Sequence, residues 1–453
     1  MQILFKLLCC FLPFLAYAAN PMQALPLPAW AENGGVMYCI YPRVFSEKGD
    51  IKGIADRLPY LQELGVNILW ILPLYPIGEK NRKGSQGSPY SVKDYYAIDP
   101  AYGTKDDFKN LIQKAHQMGF KVIVDCVLNH TAWDSVLINK PAFYKQNKLR
   151  QIISPEPDWS DVAALDYSNP EVHDYMINML KYWLKEFDLD GFRFDAASYI
   201  PLDFWAKVRA ELIQIKTDIL LLGEEELPEA LAKAFNLDYD WNLEKAIEQV
   251  MVNGAPAQQT LASVIQYERD IFPIDSRHLR FIDNHDKTRA IVRYGEKGSL
   301  AASFFIFTLR GVPLVYNGME IGDTAESTAP ALFERLPIFW KTSQIRHEHL
   351  LFYKQIIRLR KKHPSFYAGL ANWVNNSDKD RIVSYFRKAE NEEFLYVINM
   401  SNRPFEGTID TEEGSKYEDL TPIFKVNPEQ SSTMLPNISM KPWDFRLFKR
   451  IVQ

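Results

Sequence analysis

The segment GFRFDAAS, residues 191–198, sets a guanidinium and a carboxylate two residues apart inside an apolar run. Strand alternation puts Arg193 and Asp195 on one face, so a cation and an acid point the same way. Reactive side chains recur at comparable places. The run KVIVDCVLNH carries Asp125, Asn129 and His130, DILLLGEE brings Glu224, and HLRFIDNHD ends in Asn284, His285 and Asp286. Taken singly, each carboxylate reads as a helix cap or a solvated loop charge. Three of them with two histidines, all at the ends of separate apolar runs, supply the parts of an acid, a base and a nucleophile. A metal centre of His130, His285 and Asp286 is the competing reading; these residues form no HxH or HExxH pairing.

Bringing them together requires a fold that gathers strand ends. An apolar run at 35–42 is followed by IKGIADRLPYLQELG, in which Ile51, Ile54, Leu58, Leu61 and Leu64 recur at helical spacing. A strand over 67–73 precedes the helix TKDDFKNLIQKAHQMG, whose Thr104 and Asp107 stand in capping-box positions, and a strand over 121–127 follows. Asn169-Pro170 starts the next helix, which leads into GFRFDA. Further strands are expected at 218–225, 234–241, 278–285 and 311–318. Eight β/α units predict an α/β fold, a closed (β/α)8 TIM barrel, whose reactive residues lie at the C-terminal ends of the strands. Residues 131–165 are polar, proline-bearing and without a clean period, and read as an inserted excursion after the third strand. Residues 370–453 change to short alternating runs, RIVSYFRK, EFLYVINM and PWDFRLFKR, the pattern of a small antiparallel β-domain. The barrel is accordingly assigned to 19–130 and 166–369.

The 453 residues are 47% hydrophobic and 24% charged with a net charge of −5, which is globular composition. No block of Lys and Arg marks a nucleic-acid or anionic-membrane partner. Lys6, the apolar run LLCCFLPFL and Ala16-Tyr17-Ala18 read as an export signal over 1–18, so the chain is expected to be secreted or periplasmic, with no membrane anchor after cleavage. Cys39 and Cys126 then remain, each in an apolar run, and read as two buried free thiols; pairing them requires Cα atoms within about 7 Å.

DCVLNH (125–130), GFRFDAAS (191–198), LLGEE (221–225) and FIDNHD (281–286), in that order, resemble the four signature regions of the α-amylase family, glycoside hydrolase family 13. SPYSVKDYYAIDPAYGT (88–104) and GVPLVYNGMEIG (311–322) resemble its segments after strand two and at strand eight. The resemblance makes the excursion a domain B and the tail a domain C. It implies that Asp195 is the nucleophile, Glu224 the general acid/base and Asp286 the carboxylate that stabilises the transition state. A retaining glycosidase needs an ionised carboxylate to attack the anomeric carbon and a protonated acid about 5 to 5.5 Å away. Neighbouring negative charge is expected to hold the Glu224 proton, and a bidentate contact from Arg193 to keep Asp195 ionised. Tyr90, His130, Arg193, His285 and Asp94 are implied on the substrate side, with Asp94 and Asp125 as support behind it. Glu225 and Glu226 read as loop or acceptor-side residues.

Departures from the family pattern bear on substrate and metal. Ser198 and Tyr199 stand where many starch-cleaving members carry Lys-His, and Ser88-Pro89 where His-Gly is usual. Asn129 matches a calcium ligand, yet Ala164 falls where an Asp ligand is common, with Asp158 and Asp161 as substitutes; calcium stays open, and no organic cofactor is expected. The implied activity is hydrolysis of α-1,4-glucosidic bonds in starch, glycogen or maltooligosaccharides by a monomer. The alternatives are an α-glucosidase, a neopullulanase-like or a glucosyl-transferring, trehalose-forming enzyme on short saccharides, or, in another class, a catalytically inactive carbohydrate-binding barrel.

Overall fold

The computed structural model describes residues 22–411, 416–425 and 435–450. The expected export signal over 1–18 lies outside the described residues. Eight parallel strands close a barrel: β1 Met37–Ile40, β2 Ile68–Ile71, β3 Lys121–Val127, β4 Gly191–Asp195, β5 Leu220–Gly223, β6 Leu237–Tyr239, β7 His278–Arg280 and β8 Val312–Tyr316. Each strand pairs with its neighbours in sequence, and β8 closes on β1. Inward positions, among them Met37, Cys39, Trp70, Leu220, Leu222, Leu237, Leu279 and Leu314, fill the barrel as one apolar cluster. Outward positions such as Val122, Val124, Phe192 and Phe194 pack in a second cluster with the helices. Alternation along each strand thus separates two cores across one sheet.

Helix starts follow their caps. In α1, Ile51–Leu64, Asp50 accepts from Gly53 N, and all five periodic apolar residues are buried. In α2, Lys105–Gln117, Thr104 and Asp107 complete the capping box. In α3, Pro170–Phe187, Asn169 accepts from Glu171 N with proline in the first turn. The strands read at 218–225 and 278–285 are shorter than their apolar runs. Pairing stops at Gly223 and Arg280, so Glu224 and Asn284–Asp286 lie on the loops that rim the barrel mouth.

Residues 131–165 are not wholly irregular. His130–Ala132 pairs antiparallel with Val162–Ala164, and Pro141–Phe143 makes a 3-10 turn. The tail forms a five-stranded antiparallel sheet, including Ile382–Ala389, Glu392–Asn399 and Phe445–Arg450, and a two-stranded one. Cys39 faces the barrel interior and Cys126 the helix layer; both are buried and free, because the sheet lies between them.

Candidate active site

Asp125 and Arg193 are register partners on β3 and β4, both pointing inward near the mouth. Arg193 is fully buried, and its guanidinium organises everything above it. Nη1 donates to Asp125 Oδ1 and Oδ2 at 2.9 and 3.0 Å and to Asp195 Oδ1 at 3.1 Å. Nε donates to Tyr239 Oη at 3.1 Å, and Nη2 lies 2.8 Å from Glu224 Oε2. The forked contact expected for Asp195 is therefore made to Asp125. The assignment of Arg193 to the substrate side is also corrected: it lies beneath the cavity floor, where burial leaves it no surface for a ligand.

Glu224 reaches the same place from β5. Its backbone N donates to Phe194 O at 3.1 Å, and its Oε2 accepts from Ala196 N at 2.8 Å. Ala196 takes a left-handed conformation, φ 46°, which turns the chain sharply after Asp195. Gly223 is needed just before the acid, since a Cβ there would lie 2.5 Å from the Phe235 ring.

Tyr90 stacks on His285, with ring centroids 5.5 Å apart, and its Oη donates to Asp125 Oδ2 at 3.2 Å. The same hydroxyl lies 2.7 Å from His285 Nε2, which ties the imidazole to the group around Asp125. Asn284 Oδ1 accepts from Asp286 N at 2.9 Å, and the Asp286 side chain stays 41% exposed, open to the cavity. Trp70 Nε1 donates to Asp125 Oδ2 at 3.2 Å.

Burial is the first cause of every titration shift at this site. It raises Asp195 to about 6 and Glu224 to about 7; Arg193 opposes both, while Asp286 adds to both and Asp195 further raises Glu224. The neighbouring charge expected to hold the Glu224 proton is thus real but second to desolvation. Asp125 is pushed to about 7 by burial against Arg193, and Asp286 is raised as well. One guanidinium faces four carboxylates, so protons are shared across the group rather than owned by single residues. Burial lowers His130 to about 4 and His285 to about 3, so both rings are neutral at neutral pH.

The cavity above has a volume of about 800 Å³. Tyr90, His130, Asp195, Glu224, His285 and Asp286 line it, as do Glu225 and Glu226. Asp94 does not: its Oδ1 accepts from Tyr96 N at 2.9 Å, so its expected place on the substrate side is corrected to a turn within the loop. The excursion supplies a wall that periodicity gave no means to see. Trp159 packs edgewise on His130 at 5.6 Å and tilted on Tyr199 at 5.5 Å, and Tyr199 Oη donates to Glu156 Oε1 at 2.9 Å. Trp241, Lys83 and Phe333 also line the cavity. Of these, Trp241 stood at the end of the strand expected at 234–241, and the others lie on loops.

The residues present do not fit calcium. Ala164 offers a methyl group, and its backbone pairs with His130. Asn129 turns its amide nitrogen to His130 Nδ1 at 3.3 Å. Asp161 carries the Lys83 ammonium at 3.1 Å, and the Asp158 carbonyl accepts from the same ammonium. Among the described residues no three His, Cys, Asp or Glu side chains gather as a metal site.

A parallel barrel whose mouth holds two carboxylates of unequal acidity on one buried guanidinium has the parts of a glycoside hydrolase. The family model for the α-amylase catalytic domain matches residues 39–158 and 156–332, and the chain belongs to the α-amylase family. Alpha-amylase 2 of Dictyoglomus thermophilum is 29% identical over 409 residues, 83% of this chain and 71% of that one. The maltogenic alpha-amylase of Bacillus acidopullulyticus is 27% identical over 79% of this chain and 64% of its own length. The crystal structure of a maltogenic alpha-amylase from Thermotoga neapolitana superposes with a TM-score of 0.82 at 28% identity, covering 93% of this chain and 99% of that one.

Proposed function

We propose that this chain is a retaining glycoside hydrolase that cleaves α-1,4-glucosidic bonds in starch, glycogen or maltooligosaccharides through a covalent glycosyl-enzyme. The observation that carries the reading is the sharing of Arg193 by Asp195 and Glu224, with Glu224 also held by the amide of the residue after Asp195. Asp195, the more readily ionised of the two, attacks the anomeric carbon. Glu224 gives its proton to the departing oxygen, then takes one from the water that releases the sugar. Asp286, open to the cavity, faces the positive charge that develops on the ring. His130 and His285, both neutral, hydrogen-bond sugar hydroxyls, and the Tyr90 ring forms a platform beneath the sugar. Relatives named alpha-amylase and maltogenic alpha-amylase support the substrate class.

The Trp159–Tyr199 wall favours a second reading, turnover or glucosyl transfer on short saccharides. Ser198 and Tyr199 stand in place of the Lys-His pair common in starch-cleaving members, and Tyr199 puts an aromatic face on the leaving-group side. Product profiles on starch, maltotriose and maltose decide between the two. Loss of starch viscosity with maltooligosaccharide release is the expected result. Intact starch with turnover of maltotriose alone would favour the second reading, and full activity in Asp195→Asn would overturn the mechanism. We also read residues 1–18 as an export signal, on Lys6, the apolar run and Ala16-Tyr17-Ala18. Among the described residues no helix is long and apolar enough to cross a membrane.

A further inference from the structure

The oxygens that the excursion turns toward the cavity mouth are already served by a cation of the chain itself. Lys83 lies on the loop after β2, residues 78–87, which is fixed from several sides. Arg82 Nε donates to Gly78 O at 2.9 Å, Arg43 Nη1 to Gly87 O at 3.0 Å, Gln86 N to Phe333 O at 2.9 Å and Ser85 N to Glu334 Oε1 at 2.8 Å. From this anchored loop the Lys83 ammonium crosses to the Asp161 carboxylate at 3.1 Å and to the Asp158 carbonyl. Asp161 is only 5% exposed, and among the described residues Lys83 is the cation paired with it. A buried carboxylate left without its cation is costly, so this contact is strongly held. Lys83, Asp158, Trp159, Asp161 and Val162 all line the cavity, so the bridge lies in its wall.

We infer that Lys83 is a positioning residue that takes the bridging place of a divalent cation. Its ammonium draws the turn at 158–161 onto the loop after β2 and fixes the width of the cavity mouth on the Trp159 side. The excursion keeps other ties when Lys83 is removed, since Ser91 Oγ donates to Asp161 O at 3.1 Å and Trp133 Nε1 to Ser160 O at 2.9 Å. A Lys83 variant therefore folds with the turn loosened.

The full chain, Lys83→Met and Lys83→Arg are compared in two ways. The first is thermal unfolding with EDTA, with added calcium chloride and with neither. The wild-type midpoint is expected to stay put under all three, and that of Lys83→Met to fall by about 2–5 °C. The second, which rests on the proposed glucan hydrolysis, is steady-state kinetics on maltooligosaccharides. Because the carboxylates are untouched, Lys83→Met should raise KM about fivefold and change kcat by less than about twofold, with Lys83→Arg restoring most of both readouts. A wild-type midpoint that drops in EDTA or rises with calcium overturns the inference. So does a Lys83→Met variant whose midpoint or KM equals the wild type's, or whose loss lies in kcat. Failure to cleave any glucan would instead overturn the proposed function, and the unfolding arm would still decide on Lys83.

Discussion

At the scale of single residues, the site depends on one buried guanidinium facing four carboxylates. All four acids and the cation stood in or at the ends of apolar runs, and strand alternation alone put Arg193 and Asp195 on the same side. The partner that takes the forked contact, Asp125, was invisible to that argument because it lies on the neighbouring strand, 68 residues away. The shifted acidities carry a prediction. On the proposed mechanism activity requires Asp195 ionised and Glu224 protonated, so kcat/KM should fall as pH drops below about 6 and fall again as pH rises above about 7. A pH profile should show that narrow maximum near neutrality. In Glu224→Gln the alkaline limb should vanish, with a loss of about 10²–10⁴-fold on natural glucans and a smaller one on aryl glycosides whose leaving group needs no proton. An alkaline limb that persists in Glu224→Gln would assign the proton to another group.

At the scale of elements, local chemistry foretold starts better than ends. The capping box at Thr104 and the cap at Asn169 were legible because a helix N-terminus is satisfied by side chains a few residues away. Strand ends were not, because pairing is decided by the neighbouring strand: Glu224 and Asp286 came off the ladder although their apolar runs continued toward them. The helices Trp241–Met251 and Ala257–Ile271, between β6 and β7, went unread. Close strand approach also explains Gly191 in the GFRFD segment. A Cβ there would lie 2.0 Å from Leu220 O, in the ladder that holds β4 against β5. Gly191→Ala should therefore destabilise the protein by about 1–3 kcal/mol through overpacking, and should lower activity as Asp195 and Glu224 are pushed apart. Denaturant unfolding and kcat measured together check this; an unchanged midpoint would mean the strands can part without cost.

At the scale of the whole molecule, a buried arginine of the tail is bonded to barrel carbonyls. Arg387, on the tail strand Ile382–Ala389, donates to the carbonyl of Thr308 and, at 2.9 Å, of Phe366. Arg360 donates to Phe307 O, Leu309 O and Phe366 O at 2.8, 2.9 and 2.8 Å, which fixes within the barrel the same Phe366 carbonyl that Arg387 reaches from the tail. The intact chain is expected to unfold in one calorimetric transition. In Arg387→Met an earlier transition of the tail sheet should separate from it, because the lost donors leave buried carbonyls unsatisfied. A single transition at the wild-type temperature would show that apolar packing alone joins the two.

The sequence by itself determined the barrel, the order of its strands and the tail sheet, and its resemblance to the α-amylase family singled out three carboxylates as candidates. The fold follows from alternation, helical period and short-range caps, all of which act within a few residues. Only the tertiary structure decided that Arg193 is a buried organiser, that burial more than charge raises Glu224, that Asp94 stands aside and that the excursion walls the cavity through Trp159. It also decided that Lys83 sits on the Asp161 carboxylate and the Asp158 carbonyl. Each of these depends on which distant segments meet and how much water they exclude, and no local pattern records either.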